Sequence, residues 1–167
     1  MLTDIDMKQI AIQQRIPLNE VFMKDKPPMK VRPGGYVINM QDSKDAYGEA
    51  QNGTHWVALW IPRYTNQKII YCDSFGFIIP QSLINWIRRR GGLYKNCQIV
   101  CNDKDIQDVN TGGCGVYSLF FIQFVSRYNP ISNPVEILKE YNKLWSKDTK
   151  KNLQLLKKYA PYYQDSA

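Results

Sequence analysis

The sequence around Cys114 has the residue types and the spacing for nucleophilic chemistry. Gly112 and Gly113 precede the cysteine, Gly115 follows it, and an apolar stretch long enough for a buried helix comes next. Glycines allow a tight turn, so we expect the sulfur at or beside a helix N-terminus. The unpaired N–H groups and the positive dipole end there favour a thiolate and could receive an oxyanion. Alternatively, Cys114 is a small apolar residue that opens a core helix.

A cysteine nucleophile needs a base, and the chain contains one histidine, His55. It stands at the start of a strongly apolar strand-like run, where a side chain can project from the sheet edge into a cleft. No other residue type in the chain titrates in that range, so thiol–imidazole chemistry must use His55. The alternative is a histidine that is satisfied in the core or at the surface, which is the commoner situation for a lone histidine.

Asp73 could hold the second ring nitrogen of that histidine. It ends a strand-like run that is predicted to form a hairpin with the run that follows His55. Neighbouring strands would bring the two side chains to the same end of the sheet, where a carboxylate can stabilise the imidazolium. A turn residue before Ser74 and Gly76 is the alternative interpretation of Asp73, and the two are compatible.

Gln107 lies in the polar loop that leads to the cysteine. Its side-chain amide could donate a second hydrogen bond to an oxyanion, beside the backbone N–H of Cys114. Three other polar residues of the same loop compete for such a role: Asp105, Asp108 and Asn110.

The cysteines and the histidine do not form a zinc-ligand pattern. Cys97 and Cys101 are the only close pair, and Cys72 and Cys114 stand apart from them. We therefore expect no metal and no cofactor requirement for the chemistry. Four cysteines are also too few for a disulfide scaffold in a chain of this size. With no signal peptide and no apolar run of membrane-spanning length, we expect a reducing intracellular environment and no membrane partner.

Alternating strand-like and helical patterns predict one mixed α/β domain over residues 1–167, with at least four strands and helices packed on the sheet. The predicted strands are 36–40, 54–61, 68–73 and 96–101. The predicted helices are 3–14, 80–89, 114–127, one that begins at Pro134 and one capped by Asp148. In the first helix, Ile5 and the Ile10 and Ile12 region are expected to point inward. The proline-rich segment 15–35 and the polar segments 41–53 and 102–113 are predicted loops.

The net charge of +7 and the isoelectric point near 9.2 indicate an acidic partner. Binding to double-stranded DNA would be made through phosphates and would not depend on base sequence. The alternative is a solvated surface with an incidental positive bias. The residues predicted to bind DNA are the cluster on helix 80–89 and lysines of the C-terminal third: Arg88, Arg89, Arg90, Lys150, Lys151, Lys157 and Lys158.

The four chemical positions, taken in their order along the chain, resemble the adenovirus-type maturation endopeptidases, which share a clan with the proteases of SUMO and other ubiquitin-like proteins. The resemblance covers about residues 19–163. It rests on the stretches GTHWVAL at 53–59, CDSFGF at 72–77, Gln107, GGCGVY at 112–117 and LLKKYAPYY at 155–163. The early stretches FMKDKPP at 22–28 and VINMQDS at 37–43 look like those of virophages and polintons.

The resemblance implies a nucleophile at Cys114, a base at His55, an orienting acid at Asp73 and an oxyanion donor at Gln107. It also implies that the nucleophile heads a buried central helix. Capsid and core precursors would be cleaved beside glycine in small-residue motifs during virion maturation, so we expect the protein in the virion and, during assembly, in the host cytoplasm or nucleus. DNA and a capsid-derived peptide activate the adenovirus enzyme, and Cys97 occupies a similar place to the cysteine that binds that peptide by a disulfide. We expect a monomer.

Three functions follow from these patterns. The first is a virus-encoded cysteine endopeptidase that matures capsid proteins. The second is a protease that processes or deconjugates ubiquitin-like modifiers; in such enzymes a tryptophan beside the histidine and a second one upstream clamp a Gly-Gly tail. Trp56 is in place as a substrate-cleft residue, but no tryptophan precedes it, which disfavours this function. The third is a catalytically idle DNA-binding or scaffold protein of the same fold, which the presence of all four positions disfavours.

Overall fold

A five-stranded mixed sheet forms the centre of the computed structural model, which describes residues 2–44, 47, 55–128 and 132–163. The strand order is β1-β2-β3-β4-β5. Strands β2, β3 and β4 are antiparallel neighbours, whereas the edge strands β1 and β5 run parallel to β2 and β4. The strands are β1 (Leu18–Met23), β2 (Gly34–Asn39), β3 (Trp56–Ile61), β4 (Ile69–Cys72) and β5 (Ile99–Asn102).

Helices cover both faces of this sheet. The first core contains α3, whose residues are buried along almost its whole length, together with contacts from α1, α4 and α5. The second core lies on the opposite face, where Leu83, Trp86 and Ile87 of α2 pack against β2, β3 and β4. The helices are α1 (Asp4–Gln14), α2 (Gln81–Arg90), α3 (Cys114–Ser126), α4 (Pro134–Asn142) and α5 (Asn152–Tyr159). The predicted fold class, a mixed sheet flanked by helices with Cys114 heading a buried central helix, is confirmed.

The β3–β4 hairpin is what brings the predicted acid and base to one edge of the sheet. Ala58 pairs with Cys72 and Trp60 with Ile70 in an antiparallel register. His55 directly precedes β3 and Asp73 directly follows β4. Antiparallel pairing puts the start of one strand beside the end of the other, so these two residues are neighbours across the hairpin.

Two predictions about the N-terminal third are wrong. The segment 15–35 contains the strand β1 and is not a loop throughout, because its prolines flank the strand without interrupting it. In α1 the buried residues are Met7 and Ala11, whereas Ile5 is 63% and Ile12 is 80% exposed. Of the three isoleucines predicted to point inward, Ile10 alone packs against the core. Isoleucines and other apolar residues occur on both sides of α1, so their spacing does not identify the buried face.

Other boundaries differ by a few residues. The last strand begins at Ile99, three positions later than predicted, and Asp148 caps a 3-10 turn, Thr149–Lys151, that leads into α5. The predicted loop 41–53 lies mostly outside the described residues, as does Thr54. Among the described residues, no helix has both the length and the apolar character needed to span a membrane.

Candidate active site

Cys114 is the first residue of α3, and Gly113 caps the helix in a left-handed conformation with φ of 98°. Only glycine adopts that region readily, so Gly113 is what allows the chain to turn from the loop into the helix here. Cys114 and Gly113 are both buried. The backbone N–H groups of the first helical turn have no intrahelical acceptors and so surround the sulfur with donors.

His55 and Asp73 form a direct hydrogen bond, with 2.7 Å between Nε2 and Oδ1. The side chain of Asp73 is 3% exposed and that of His55 is 16% exposed. Since Nε2 is occupied by the carboxylate, Nδ1 is the ring nitrogen that is left for the Cys114 side chain, which also interacts with the ring. Three of the four predicted catalytic residues are therefore together in the structure, with Asp73 and Cys114 both interacting with the ring of His55.

The electrostatics of this group favour a protonated ring. Burial of His55 lowers its pKa, but the hydrogen bond to Asp73 and the interaction with Cys114 more than reverse that effect and raise the pKa to about 9. An imidazole with such a pKa is positively charged at neutral pH. A cation beside the sulfur stabilises the thiolate form of a cysteine.

Phe75 and Gly76 hold the acid in place. The backbone N–H of Phe75 donates to Asp73 Oδ1 at 2.8 Å, and the N–H of Gly76 donates to the Asp73 carbonyl, also at 2.8 Å. The Phe75 ring stacks on the His55 imidazole, with 4.6 Å between centroids and 24° between planes. The carboxylate and the ring therefore have little freedom to reorient. The sequence signal for the stacking is the aromatic residue two positions after the acid.

Gln107 lies in the same site, and its side chain is bonded to the turn that carries the nucleophile. It is 2% exposed, and its Nε2 donates to the carbonyl oxygens of Thr111 at 3.0 Å and Gly112 at 3.2 Å. Its Oε1 accepts a hydrogen bond from the hydroxyl of Ser74. The amide thus fixes the loop in front of Cys114. Donation to an oxyanion would replace one of the two bonds that Nε2 now makes.

Two further polar residues support this loop, and sequence reasoning missed both. The Ser74 carbonyl accepts from the backbone N–H groups of Ile106 and Gln107, so Ser74 ties the loop of the acid to the loop of the glutamine. Asn152, which is fully buried, donates to the Ile106 carbonyl at 2.8 Å from the start of α5. Neither contact has a signal in the sequence, because each joins residues far apart along the chain.

Trp56 and Cys97 lie in the cores. Trp56 is 3% exposed and belongs to the core on the α3 face. Cys97 is 6% exposed, its thiol donates to the Thr65 carbonyl, and burial raises its pKa. Cys101, on the edge strand β5, is the more exposed of the close pair. The disulfide role of Cys97 stays a prediction.

The predicted DNA-binding residues form two clusters on opposite faces of the sheet. Arg88, Arg89 and Arg90 end α2, whereas the lysine pairs at 150–151 and 157–158 belong to the 3-10 turn and to α5 on the α3 face. Arg88 is engaged with the chain itself, since its Nη1 donates to the carbonyls of Lys95 and Cys97. Among the described residues there is no group of three or more potential metal ligands.

The sequence matches the Ulp1 protease family, C-terminal catalytic domain, over residues 50–156. Since the match covers more than half of the chain, the chain belongs to this family of cysteine proteases, hydrolases that need no cofactor for catalysis. The match agrees with the predicted clan, which the adenovirus-type endopeptidases share with the proteases of ubiquitin-like proteins. Membership of the adenovirus-type branch stays a prediction.

Crystal structures with a similar fold include two of one protease. The ASFV pS273R protease gives a TM-score of 0.48 at 20% identity, over 86% of this chain and 65% of that protein. Its selenomethionine form gives 0.46 at 19% identity, over 87% and 68%. This chain therefore spans just under two thirds of the length of the first. No curated protein matches the sequence.

Proposed function

We propose that this protein is a cysteine endopeptidase in which Cys114 is the nucleophile, His55 the proton carrier and Asp73 the residue that orients the imidazole. The observation that carries the proposal is the 2.7 Å bond between His55 Nε2 and Asp73 Oδ1, with the Cys114 side chain on the same ring. The Cys114 and Asp73 side chains, from two separate segments of the chain, thus meet on the imidazole of His55. The inactive scaffold is disfavoured because a chain without selection for chemistry has no reason to keep that arrangement.

The first step is attack by the Cys114 thiolate on the scissile carbonyl carbon. The imidazolium of His55 neutralises the thiolate in the resting enzyme, which makes the nucleophile available at neutral pH. As the carbon–sulfur bond forms, the carbonyl π electrons move to oxygen. The free N–H groups at the start of α3 are the nearest donors for this oxyanion, and Gln107 is the proposed side-chain donor beside them.

In the second step His55 donates its proton to the leaving amine, and the peptide C–N bond breaks to leave an acyl-enzyme on Cys114. The now neutral ring takes a proton from a water molecule, which attacks the thioester carbonyl. Breakdown of this second tetrahedral intermediate releases the carboxylate product and restores the thiolate–imidazolium pair. Asp73 keeps the ring oriented and stabilises its positive charge throughout.

The proposed substrates are capsid and core precursors of a virophage or polinton-like virus, cleaved beside glycine during virion maturation. The support is the resemblance of the stretches at 22–28, 37–43 and 155–163 to that group of enzymes. A narrow cleft over a buried cysteine admits small side chains best. The corresponding location is the virion, and the host cytoplasm or nucleus during assembly. We propose that the enzyme is a monomer.

A protease of ubiquitin-like modifiers is the second candidate, and the match to the Ulp1 protease family favours it. The buried position of Trp56 opposes it, because a tryptophan that is 3% exposed offers no face to a Gly-Gly tail. Processing of a modifier precursor and processing of a capsid precursor use the same chemistry. The substrate therefore decides between them.

Double-stranded DNA and a capsid-derived peptide are proposed activators. The C-terminal cluster suits a phosphate backbone better than the α2 cluster, where Arg88 bonds to backbone carbonyls. It consists of Lys150, Lys151, Lys157 and Lys158. Binding through phosphates predicts an affinity for a mixed-sequence duplex that falls steeply with salt. Charge reversal at Lys150 and Lys151 should weaken it more than charge reversal at Arg89 and Arg90.

The experiment that tests the proposed function offers both substrate classes to the enzyme. Purified protein is incubated with the capsid and core precursors encoded beside it and, separately, with SUMO-type modifier precursors, and new termini are mapped by mass spectrometry. The Cys114→Ala variant is the test of mechanism, and Cys101→Ala is the matched control. We expect cleavage beside glycine in the capsid precursors, lost in the first variant and kept in the second. Cleavage of the modifier precursors alone would support the second candidate, and cleavage by Cys114→Ala would contradict the mechanism.

A further inference from the structure

The turn that carries Cys114 is in contact with two segments that lie outside the family-matched residues 50–156. A Cβ atom built on Gly113 would be 3.1 Å from Cε2 of Tyr163. A Cβ atom built on Gly115 would be 3.2 Å from the sulfur of Met7 and 3.5 Å from the side chain of Leu2. The C-terminal segment and the N-terminal helix therefore pack so close to the glycines on either side of the nucleophile that a side chain there would be crowded.

The C-terminal contact is fixed by several bonds to the protein. Ala160 is fully buried, and the N–H of Tyr163 donates to its carbonyl at 2.9 Å. The hydroxyl of Tyr162 donates to Oε1 of Gln123 on α3 at 3.2 Å. The ammonium of Lys157 lies 5.4 Å from the centroid of the Tyr163 ring. The segment that carries the Tyr163 ring is thus tied to α3 through Tyr162, and the ring itself contacts Lys157 of α5.

The N-terminal contact is equally well supported. Thr3 and Asp6 form a capping box that fixes the first turn of α1. Met7 is completely buried and Leu2 is 8% exposed, so both are packed in the core on the α3 face. A buried methionine has few free rotamers, because the surrounding atoms fill the space that it would need.

These contacts matter because the backbone of Gly113 has little conformational preference of its own. Gly113 sits in the left-handed region, and glycine reaches other regions at almost no cost. Gln107 holds the carbonyls of Thr111 and Gly112, and the N–H of Tyr117 donates to the carbonyl of Gly113 at 2.8 Å. The close packing of Tyr163 beside Gly113 and of Met7 beside Gly115 adds a restraint from two further sides. A displacement of about 1 Å in a reacting group can reduce a rate by about 100-fold.

We propose that Tyr163 and Met7 are positioning residues that clamp the Gly113–Gly115 turn and keep the Cys114 sulfur on the His55 ring. This inference rests on the proposed function, because it assumes that the sulfur and the ring act as a pair. It assigns a role in the chemistry to segments before and after the residues that the family match covers.

Alkylation of the full chain by iodoacetamide, followed cysteine by cysteine with mass spectrometry, measures the clamp directly. At pH 7 we expect Cys114 of the wild-type protein to react faster than Cys97 and Cys101. Tyr163→Ala should slow Cys114 by about 10-fold or more, while Tyr163→Phe should react like the wild type because the contact is made by a ring carbon. Met7→Ala should slow the alkylation of Cys114, and Met7→Leu should leave its rate as in the wild type.

The matched control is Tyr128→Ala, a comparable truncation just beyond the opposite end of α3, where the ring packs against Phe124 at 5.2 Å. It should leave the reactivity of Cys114 unchanged. The second readout is the titration of His55 by NMR, which is unambiguous because the chain has a single histidine. Loss of the Cys114 partner in Tyr163→Ala should lower the pKa of His55, a change that a merely structural role would not produce.

The outcomes separate this inference from the proposed function. If Cys114 of the wild type reacts no faster than the other cysteines, the proposed function is contradicted whatever the variants do. Suppose that Cys114 of the wild type reacts faster than the other cysteines, and that Cys114 of folded Tyr163→Ala and Met7→Ala reacts as fast as in the wild type. The clamp alone is then overturned. Should Tyr163→Ala lack the circular dichroism of the folded protein, Tyr163→Leu replaces it, and wild-type reactivity together with a wild-type His55 pKa in that variant would also overturn the clamp.

Discussion

The two ends of α3 are built in opposite ways. At its N-terminus Cys114 lies in a network of directed polar contacts that joins His55, Asp73, Ser74 and Gln107. At its C-terminus the helix lines a cavity of about 430 Å³ whose walls are mainly apolar. Residues lining this cavity come from the start of β1, the β3–β4 turn and the end of α3, and include Pro17, Trp60, Pro62, Ile70, Val125 and Tyr128.

The difference shows what identifies a reactive site in this fold. A large apolar cavity is the usual default hypothesis for a binding site, yet the groups able to move a proton are at the other end of the helix. Proton transfer needs atoms within hydrogen-bonding reach. The restrained imidazole and the buried cysteine meet that requirement without a large cavity.

Removal of His55 should reduce the cleavage rate more than any other change. If it did not, the contrast between the reactive N-terminal end and the apolar C-terminal end of α3 would fail. We expect His55→Ala to reduce the cleavage rate of the capsid precursor by about 10²–10⁴-fold, because the proton carrier and the counterion of the thiolate are lost together. The rate is measured by gel densitometry against time. Circular dichroism should show an unchanged fold, since the histidine side chain lies at the rim of the sheet. Cleavage near the wild-type rate would remove His55 from the mechanism.

Neutralisation of Asp73 should have a smaller effect and should act through the ring. Asp73→Asn keeps an oxygen for the N–H of Phe75 but removes the charge that stabilises the imidazolium. We expect the cleavage rate to fall by about 100-fold or less and the pKa of His55 to drop below its wild-type value of about 9. NMR titration of the single histidine measures the pKa. The matched control is Asp105→Asn, an exposed carboxylate of a neighbouring loop, which should leave the His55 titration nearly unchanged.

The raised pKa of His55 also fixes how stability and activity depend on pH. The pKa in the folded protein, about 9, lies above the ordinary value of about 6.5, so proton binding favours the folded state. This contribution to the free energy of unfolding is complete below pH 6.5 and is lost as the pH rises to about 9. Cleavage should decline over the same alkaline limb, because the ring loses the proton that it gives to the leaving amine. Urea unfolding at a series of pH values should show a weaker decline in Asp73→Asn.

The parts of the fold that the sequence predicted are those with local signals. The glycine turn before an apolar run located Cys114 at the start of α3, and two apolar runs around a turn located the hairpin. The strand β1 was missed because its pairing with β2 is not local and the prolines around it resemble a loop. The inward face of α1 was misassigned, since Met7 and not Ile5 faces the core and nothing in the spacing distinguishes them.

The candidate site also contains residues that the sequence could identify and contacts that it could not. His55 could be identified because it is the only histidine, and Asp73 because the hairpin brings it back to the same edge. The stacking of Phe75 on the ring and the contact of Tyr163 with Gly113 depend on packing between distant segments, which residue types alone do not determine. Trp56 was predicted as a cleft residue from its place beside His55; β3 is a central strand and leaves it 3% exposed, and its role in the cleft stays a prediction.

The smallest expected effect on reactivity comes from the far end of α3, and a matched pair of substitutions sharpens the comparison. Val116 and Val125 are both buried, the first in the turn after Cys114 and the second at the wall of the cavity. Either valine-to-alanine change should lower the free energy of unfolding by about 1–2 kcal/mol. Only Val116→Ala should slow alkylation of Cys114, by a few-fold, because only that loss of packing lets the first helical turn shift.

Val125→Ala should leave the alkylation rate within about twofold of the wild type, since the helix between the two positions is buried along its length and keeps its hydrogen bonds. Urea unfolding and iodoacetamide labelling of both variants at pH 7 provide the two measurements. An equal loss of Cys114 reactivity in the two variants would mean that stability alone governs the nucleophile. The polar network at the N-terminus of α3 would then have no separate role in holding the sulfur.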